Sequence, residues 1–199
     1  MAFSDFTFAK LKKNYHILYE EVVLFQKTDI KNMPISQRLE QDMEEAKQMP
    51  LYSEKAKSEA IIFPIIKEVK RNNAFISIFS GISLQVENEK LLTGVPDFMI
   101  SAKPHRAYIE APIFCMVEAK NGVVEDGFAQ CAAEMYAARL FNQENDEPYE
   151  TIYGAVTNAY DWVFLKLEGN TVFIDKERYF LNDLPQILGI MQFIVDQYK

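Results

Sequence analysis

The sequence predicts a mixed α/β domain in which a central β-sheet is flanked by helices. Segments rich in β-branched and aromatic residues alternate with helical patterns along the chain. The chain has 199 residues, of which 49% are hydrophobic, so it can bury a core without disulfide bonds or structural metals. Its 7 Gly, 8 Pro and 2 Cys exclude collagen-like, low-complexity and disulfide-rich classes.

The sequence of the first 70 residues predicts helices more clearly than strands. Residues 5–27 mix aromatic, apolar and basic side chains without a clean period, which leaves strand and helix open. The polar run 36–49 predicts an exposed helix. Ser53 is a suitable N-cap for a helix over 54–70, in which isoleucine and valine recur at helical spacing. Pro64 lies inside this run and either kinks the helix or starts a second segment.

The rest of the chain predicts strands that are separated by two further helices. Strand patterns cover 74–87, 95–101 and 113–120, and an alanine-rich helix covers 125–141. Beyond an acidic loop, the patterns predict three strands and a C-terminal helix, at 152–158, 161–168, 171–175 and 183–198. The core order is therefore α-β-β-β-α-β, with residues 54–199 as the main domain and residues 1–53 as a partly helical N-terminal extension.

Charge and apolar patterning predict a cytoplasmic protein without a membrane segment. No apolar stretch approaches the roughly 20 residues of a membrane span, and the N-terminus does not have the pattern of a secretory signal. The two cysteines, Cys115 and Cys131, suit a reducing compartment. The net charge of −8 argues at first against nucleic acid, because phosphate contacts need Lys and Arg. The excess acid is concentrated in residues 141–199, however, and the middle of the chain is nearly neutral.

Three charged residues are expected to meet at the ends of two neighbouring strands. Asp97 follows a proline at the start of a short apolar strand, and Glu118 and Lys120 end the next one. Residues two apart in a strand share a face, so Glu118 and Lys120 point the same way. Two carboxylates can hold Mg²⁺ with positions left for water and phosphate, and a lysine beside them can orient or deprotonate the water. A polar strand start and a strand-end ion pair are the structural alternatives.

These residues resemble the motif of the PD-(D/E)xK nuclease superfamily, which has a restriction-endonuclease-like fold. The matching segments are Val95-Pro96-Asp97 and Glu118-Ala119-Lys120, about one hairpin apart. Residues 154–169 also look like a strand pair in stand-alone relatives of the N-terminal nuclease domains of type I restriction subunits. The resemblance covers roughly residues 54–175. It implies a restriction-endonuclease-like core, with residues 54–199 as a nuclease domain.

The resemblance also implies roles for individual residues. Asp97 and Glu118 would bind Mg²⁺ or Mn²⁺, with the Ala119 backbone carbonyl as a further ligand. Lys120 would assist the attacking water.

Two further residues would support this set. Glu59, on the helix before the strands, would bind a second ion or a water molecule. Gln130, on the helix after the lysine, matches the first residue of the Gln-x-x-x-Tyr pair of many relatives. Position 134, where those relatives carry the tyrosine, is a glutamate here.

Basic residues near the motif are candidate phosphate contacts. Lys67 lies late in the first main-domain helix, and Lys103 and Arg106 lie in the loop between the two site strands. The expected function is Mg²⁺-dependent hydrolysis of nucleic-acid phosphodiesters by a DNA endonuclease, with a homodimer or a larger complex supplying more DNA surface. The alternative is a catalytically inactive interaction module that keeps the nuclease fold, which the net charge and the departure at position 134 favour.

Overall fold

A computed structural model describes residues 2–26, 28–86, 92–104, 107–147 and 149–199. In these ranges the strands are β1 (Leu18–Val22), β2 (Ser77–Ser80), β3 (Leu84–Gln85), β4 (Thr93–Gly94), β5 (Phe98–Ser101), β6 (Ile113–Ala119), β7 (Ile152–Thr157), β8 (Asp161–Glu168), β9 (Thr171–Asp175) and β10 (Tyr179–Phe180). The helices are α1 (Phe8–Tyr15), α2 (Gln37–Ala46), α3 (Glu54–Lys57), α4 (Phe63–Asn72), α5 (Phe128–Glu144) and α6 (Leu184–Asp196).

The described strands form a mixed central sheet in the order β1-β9-β8-β7-β6-β5-β2, with β10 paired beside β8. The β6–β7 and β1–β9 pairs are parallel and the other pairs of this sheet are antiparallel. A small second ladder joins β3 to β4. Helices cover both faces of the sheet, so the predicted class of a mixed sheet flanked by helices is confirmed.

Two apolar cores lie on the two faces of the sheet. One contains Leu39, Ile65 and Ile187, and it joins α2, α4 and α6 to the sheet. The other contains Leu11 and Met135, and it joins α1 and α5 to the opposite face. The strand β6 is buried along its whole length because it contributes to both cores. No helix of the described residues is both long enough and apolar enough to cross a membrane.

The helix predicted from Ser53 forms, and it runs on through Pro64. The Ser53 hydroxyl accepts a hydrogen bond from the Ala56 backbone N–H at 3.1 Å, which caps α3. A π-helical turn, Ser58–Ile62, then joins α3 to α4. Proline lacks the N–H that would bond to the carbonyl four residues earlier, and a wider turn accommodates this loss without ending the helix.

The strand predicted over 74–87 is broken in the structure. Only β2 belongs to the central sheet, and β3 turns away to pair with β4. Gly81 separates them with a φ of +64°, a left-handed conformation that glycine adopts at little cost and that a continuous strand cannot contain. Most of the turn predicted over 88–94 lies outside the described residues.

Residues 1–53, predicted as an N-terminal extension, contribute to the same sheet and cores as the rest of the chain. The ambiguous segment 5–27 forms α1 followed by β1, which pairs in parallel with β9 at one edge of the sheet. Leu11 and Leu39 are fully buried, one in each core.

Candidate active site

The two motif strands bring Asp97 and Glu118 to the same end of the sheet. Asp97 directly precedes β5, and Glu118 is the penultimate residue of β6. The antiparallel register pairs Phe98 with Val117, so Asp97 stands opposite Glu118. The C-terminal end of the parallel strand β7 lies alongside. We call this end of the sheet, where β5 begins and β6 and β7 end, the site end.

A backbone hydrogen bond holds the Asp97 carboxylate against β6. The Ala119 N–H donates to Asp97 Oδ2 at 2.8 Å, whereas the next N–H, that of Lys120, donates to the Thr157 carbonyl at 2.8 Å on the opposite side. The N–H and C=O of one strand residue point to the same side, so the Ala119 carbonyl is directed toward Asp97. Burial raises the pKa of Asp97, and the hydrogen bond from Ala119 partly offsets this effect.

Glu118 is a buried carboxylate that contacts both Lys120 and a second buried glutamate. Its side chain is 3% exposed, and Oε1 accepts a hydrogen bond from Lys120 Nζ at 2.6 Å. Oε2 is buried and no N–H or O–H group of the described residues donates to it, but the Glu134 carboxyl group lies within hydrogen-bonding reach of Glu118, so the two groups can share a proton. Burial, with a contribution from the charge of Asp97, raises the pKa of Glu118 to about 7. This buried oxygen needs a shared proton, a cation or a water molecule to satisfy it.

Lys120 is held as an ammonium between two side chains. Nζ donates to Glu118 Oε1 and, at 2.9 Å, to Gln130 Oε1. Burial acts to lower the pKa of Lys120, but the hydrogen bond and charge of Glu118, with the charges of Glu54 and Asp97, raise it overall. The predicted partners Glu118, Lys120 and Gln130 thus share one hydrogen-bonded network.

Glu134 is a further member of this network that the sequence analysis did not select. It lies on α5 one turn after Gln130, is fully buried, and accepts a hydrogen bond from Gln130 Nε2 at 3.2 Å. Within the described ranges no N–H group donates to its Oε2, and its carboxyl group lies within hydrogen-bonding reach of Glu118. Burial and the charge of Glu118 raise its pKa well above the usual range. The signal available in the sequence was a glutamate at position 134, where many relatives with the resembling motif have a tyrosine. That difference did not indicate that the side chain is buried.

An open cleft lies beside Asp97 and is walled by the helix that precedes the strands. The cleft has a volume of about 480 Å³, and Glu54, Glu59, Phe63 and Phe98 are among its lining residues. Glu59 lines the cleft with a mostly exposed side chain whose carboxylate lies 3.9 Å from Lys55 Nζ. The acidic residue near the start of this helical segment whose charge helps to raise the pKa of Lys120 is Glu54, which was not among the predicted site residues.

The three candidate phosphate contacts do not lie together. Lys67 Nζ lies 5.2 Å from the centre of the Phe63 ring, beside the cleft. Lys103 is at the opposite end of the sheet, because it follows the far end of β5, roughly 20 Å along the strand from Asp97. Its Nζ pairs with Glu147 at 2.9 Å, so the expectation that Lys103 flanks the site is wrong. Arg106 lies outside the described residues.

The donor set fits a hard divalent cation that also needs ligands from a substrate. No group of three or more His, Cys, Asp or Glu side chains in the described ranges is arranged to hold a metal alone. Mg²⁺, however, commonly takes one or two carboxylates together with water and substrate phosphates. Asp97, Oε2 of Glu118 and the Ala119 carbonyl supply such a partial set.

Comparisons with known proteins give no match for this chain. No protein-family model matches it, nor does any curated protein or solved structure. The chemistry of the site end is therefore inferred from its own residues.

Proposed function

We propose that this chain is a Mg²⁺- or Mn²⁺-dependent nuclease with a restriction-endonuclease-like core, which hydrolyses phosphodiester bonds in DNA. The observation that carries the proposal is the buried Glu118 carboxylate, which stands opposite Asp97, is bonded to Lys120 and lies beside a third carboxyl group, that of the buried Glu134. A strand-end ion pair that served only stability would need one carboxylate, whereas additional buried acids beside it raise one another's pKa and oppose ionisation.

Each residue of the site has a defined task in this reaction. Asp97 and Glu118 would hold the cation, and the Ala119 N–H fixes the orientation of the Asp97 carboxylate. A cation held there would supply charge stabilisation at the phosphate and a more acidic water. Lys120 keeps its proton, because its pKa is raised, and therefore acts by donating hydrogen bonds and neutralising developing charge. Gln130 holds the ammonium in place.

The cysteines do not offer a competing nucleophile. Cys115 is buried on the face of β6 opposite Glu118, and burial raises the pKa of its thiol to about 12. Cys131 is also buried, and its pKa is raised well above the usual value by the same cause. A thiol must ionise to attack a substrate, so neither cysteine is suited to covalent catalysis near neutral pH.

Cleavage and metal-binding assays on matched variants test this proposal. Wild type should nick plasmid DNA in Mg²⁺ or Mn²⁺ and not in EDTA. Asp97→Asn should lose both cleavage and Mn²⁺ binding measured by calorimetry, because a site with so few carboxylates cannot spare one. Lys120→Ala should cut at least about 10²-fold more slowly yet bind Mn²⁺ nearly as well.

Glu20→Gln provides the control, since this exposed residue lies on the edge strand β1. The control should match wild type in both assays. If wild type neither binds a divalent ion nor cleaves DNA, and Asp97→Asn behaves identically, the site is not a metal centre. The inactive interaction module would then be the better description.

A further inference from the structure

Several exposed apolar side chains lie around the site end of the sheet. Val95 precedes Asp97 by two residues, Val123 follows Lys120 by three, and Tyr160 lies in the turn between β7 and β8. Their relative exposures are 57%, 58% and 46%. Single exposed apolar residues are ordinary, and of these three only Tyr160 carries a ring on which a nucleobase can stack.

The Asn158 side chain ties two turns together at this end of the sheet. Asn158 Oδ1 accepts hydrogen bonds from the backbone N–H groups of Tyr160 and Asp161, at 3.0 and 2.8 Å. Asn158 Nδ2 donates to the Gly122 carbonyl at 3.0 Å, which ties this turn to the one that follows Lys120. These bonds fix the backbone of the Tyr160 turn relative to the turn that follows Lys120.

Lys57 lies between the Tyr160 ring and the turn that follows β6. Lys57 Nζ donates to the Asn121 carbonyl at 2.8 Å and lies 5.7 Å from the centre of the ring. These two distances place the ring centre within about 8.5 Å of the residue that follows Lys120. That span corresponds to two or three base steps, at the roughly 3.4 Å rise of a stacked strand.

We infer that Tyr160 and Lys57 bind single-stranded DNA, with an unpaired base stacked on the ring face that Lys57 does not cover and a neighbouring phosphate beside the ammonium. A tyrosine ring can stack on any base face that is free, but paired bases in a duplex are already covered by their neighbours. Duplex binding relies on many phosphate contacts, which suits a chain of net charge −8 poorly. Stacking supplies affinity that does not depend on charge. The inference rests on the proposed function only in taking the bound strand to be the substrate.

Binding of fluorescein-labelled oligonucleotides in EDTA, followed by anisotropy, tests the inference without cleavage. Wild type should bind the single strand more tightly than the matched duplex. Tyr160→Ala should weaken single-strand binding by about 5- to 150-fold, the range that corresponds to loss of one stacked base. Tyr160→Phe, which keeps the ring, should restore binding to within about twofold of wild type. Lys57→Gln should make the slope of log K against log salt shallower by about 0.7.

Tyr108→Ala is the matched control. Tyr108 is 82% exposed but lies in the loop between β5 and β6, at the end of the sheet away from the site. The inference is overturned if wild type does not bind the single strand, if it prefers the duplex, or if Tyr160→Ala binds like Tyr108→Ala. Metal-dependent cleavage with no effect of Tyr160→Ala would reject the inference and keep the proposed function. Binding that depends on the Tyr160 ring, in a protein that does not cleave DNA, would keep the inference and reject the proposed function.

Discussion

The buried carboxylate of Glu118 predicts that the metal-free protein becomes less stable as the pH rises toward neutrality. Burial and the charge of Asp97 raise the pKa of Glu118 from its ordinary value of 4.5 to about 7. The folded state therefore binds this proton more tightly than the unfolded state does. Its contribution to stability is greatest below pH 4.5, and it declines as the pH rises from about 4.5 to about 7.

The size of this effect follows from the shift in pKa. About 2.5 pH units at 1.36 kcal/mol per unit correspond to a total of about 3 kcal/mol. Glu118→Gln keeps the shape of the side chain and removes both this titration and the charge that helps to raise the pKa of Glu134, two effects that act in the same direction. Relative to wild type, the variant should therefore gain about 2–3 kcal/mol of unfolding free energy between pH 5 and pH 8. For a chain of this length, that gain corresponds to roughly 5–10 °C in Tm.

Thermal unfolding in EDTA at pH 5 and pH 8 measures this difference directly. Wild type, Glu118→Gln and the exposed control Glu20→Gln should be compared in the same buffers. The control should show the pH dependence of wild type. If the Tm difference between Glu118→Gln and wild type is equal at the two pH values, Glu118 does not carry a raised pKa and the reasoning about the buried site is refuted.

Two further substitutions test how α5 and the turn before it pack against β6 and Lys120. Asn142 bonds to both the N–H and the carbonyl of Ile113 at 2.7 Å, so Asn142→Ala should cost about 2–4 kcal/mol of unfolding free energy. A loss below about 0.5 kcal/mol in urea denaturation would contradict this. A Cβ at Gly127 would lie 2.6 Å from Val156 Cγ1 and 3.1 Å from Lys120 Cε. Gly127→Ala should therefore force Val156 aside and shift Lys120 by a few tenths of an ångström. Cleavage should slow by less than the roughly 10²-fold of a 1 Å misplacement while Mn²⁺ binding is retained, and cleavage as slow as that of Lys120→Ala would contradict this.

Local signals in the sequence predicted much of the central architecture. The Ser53 cap, the apolar run of β6 and the helical spacing of α4 are each determined within a few neighbouring residues, and each forms as expected. The parallel pairing of β1 with β9 was not predictable in this way. It joins segments about 150 residues apart, and the pattern of β1 alone, which is mostly exposed, fits either an edge strand or a helix.

For the site, too, some features follow from neighbouring residues, and others depend on how distant segments pack. Parity along β6 placed Glu118 and Lys120 on one face, and the antiparallel register brought Asp97 opposite Glu118. The burial of Glu134 depends on which face of α5 packs on the sheet, and the long helix is apolar on most sides. The position of Lys103 at the far end of the sheet follows from the direction of β5. In an antiparallel pair, the start of the first strand and the end of the second lie together at one end of the sheet. The loop that joins the two strands therefore lies at the other end.

A crystal structure determined in the presence of Mn²⁺ tests the central claim most directly. The account predicts one anomalous peak between Asp97 and Glu118, at roughly 2.1 Å from a carboxylate oxygen of each, with Glu118 Oε2 as a ligand. Asp97→Asn crystals in the same solution should lack the peak. Wild-type crystals with no Mn²⁺ at this position, or with Mn²⁺ bound only elsewhere, would contradict the assignment of a metal-dependent nuclease.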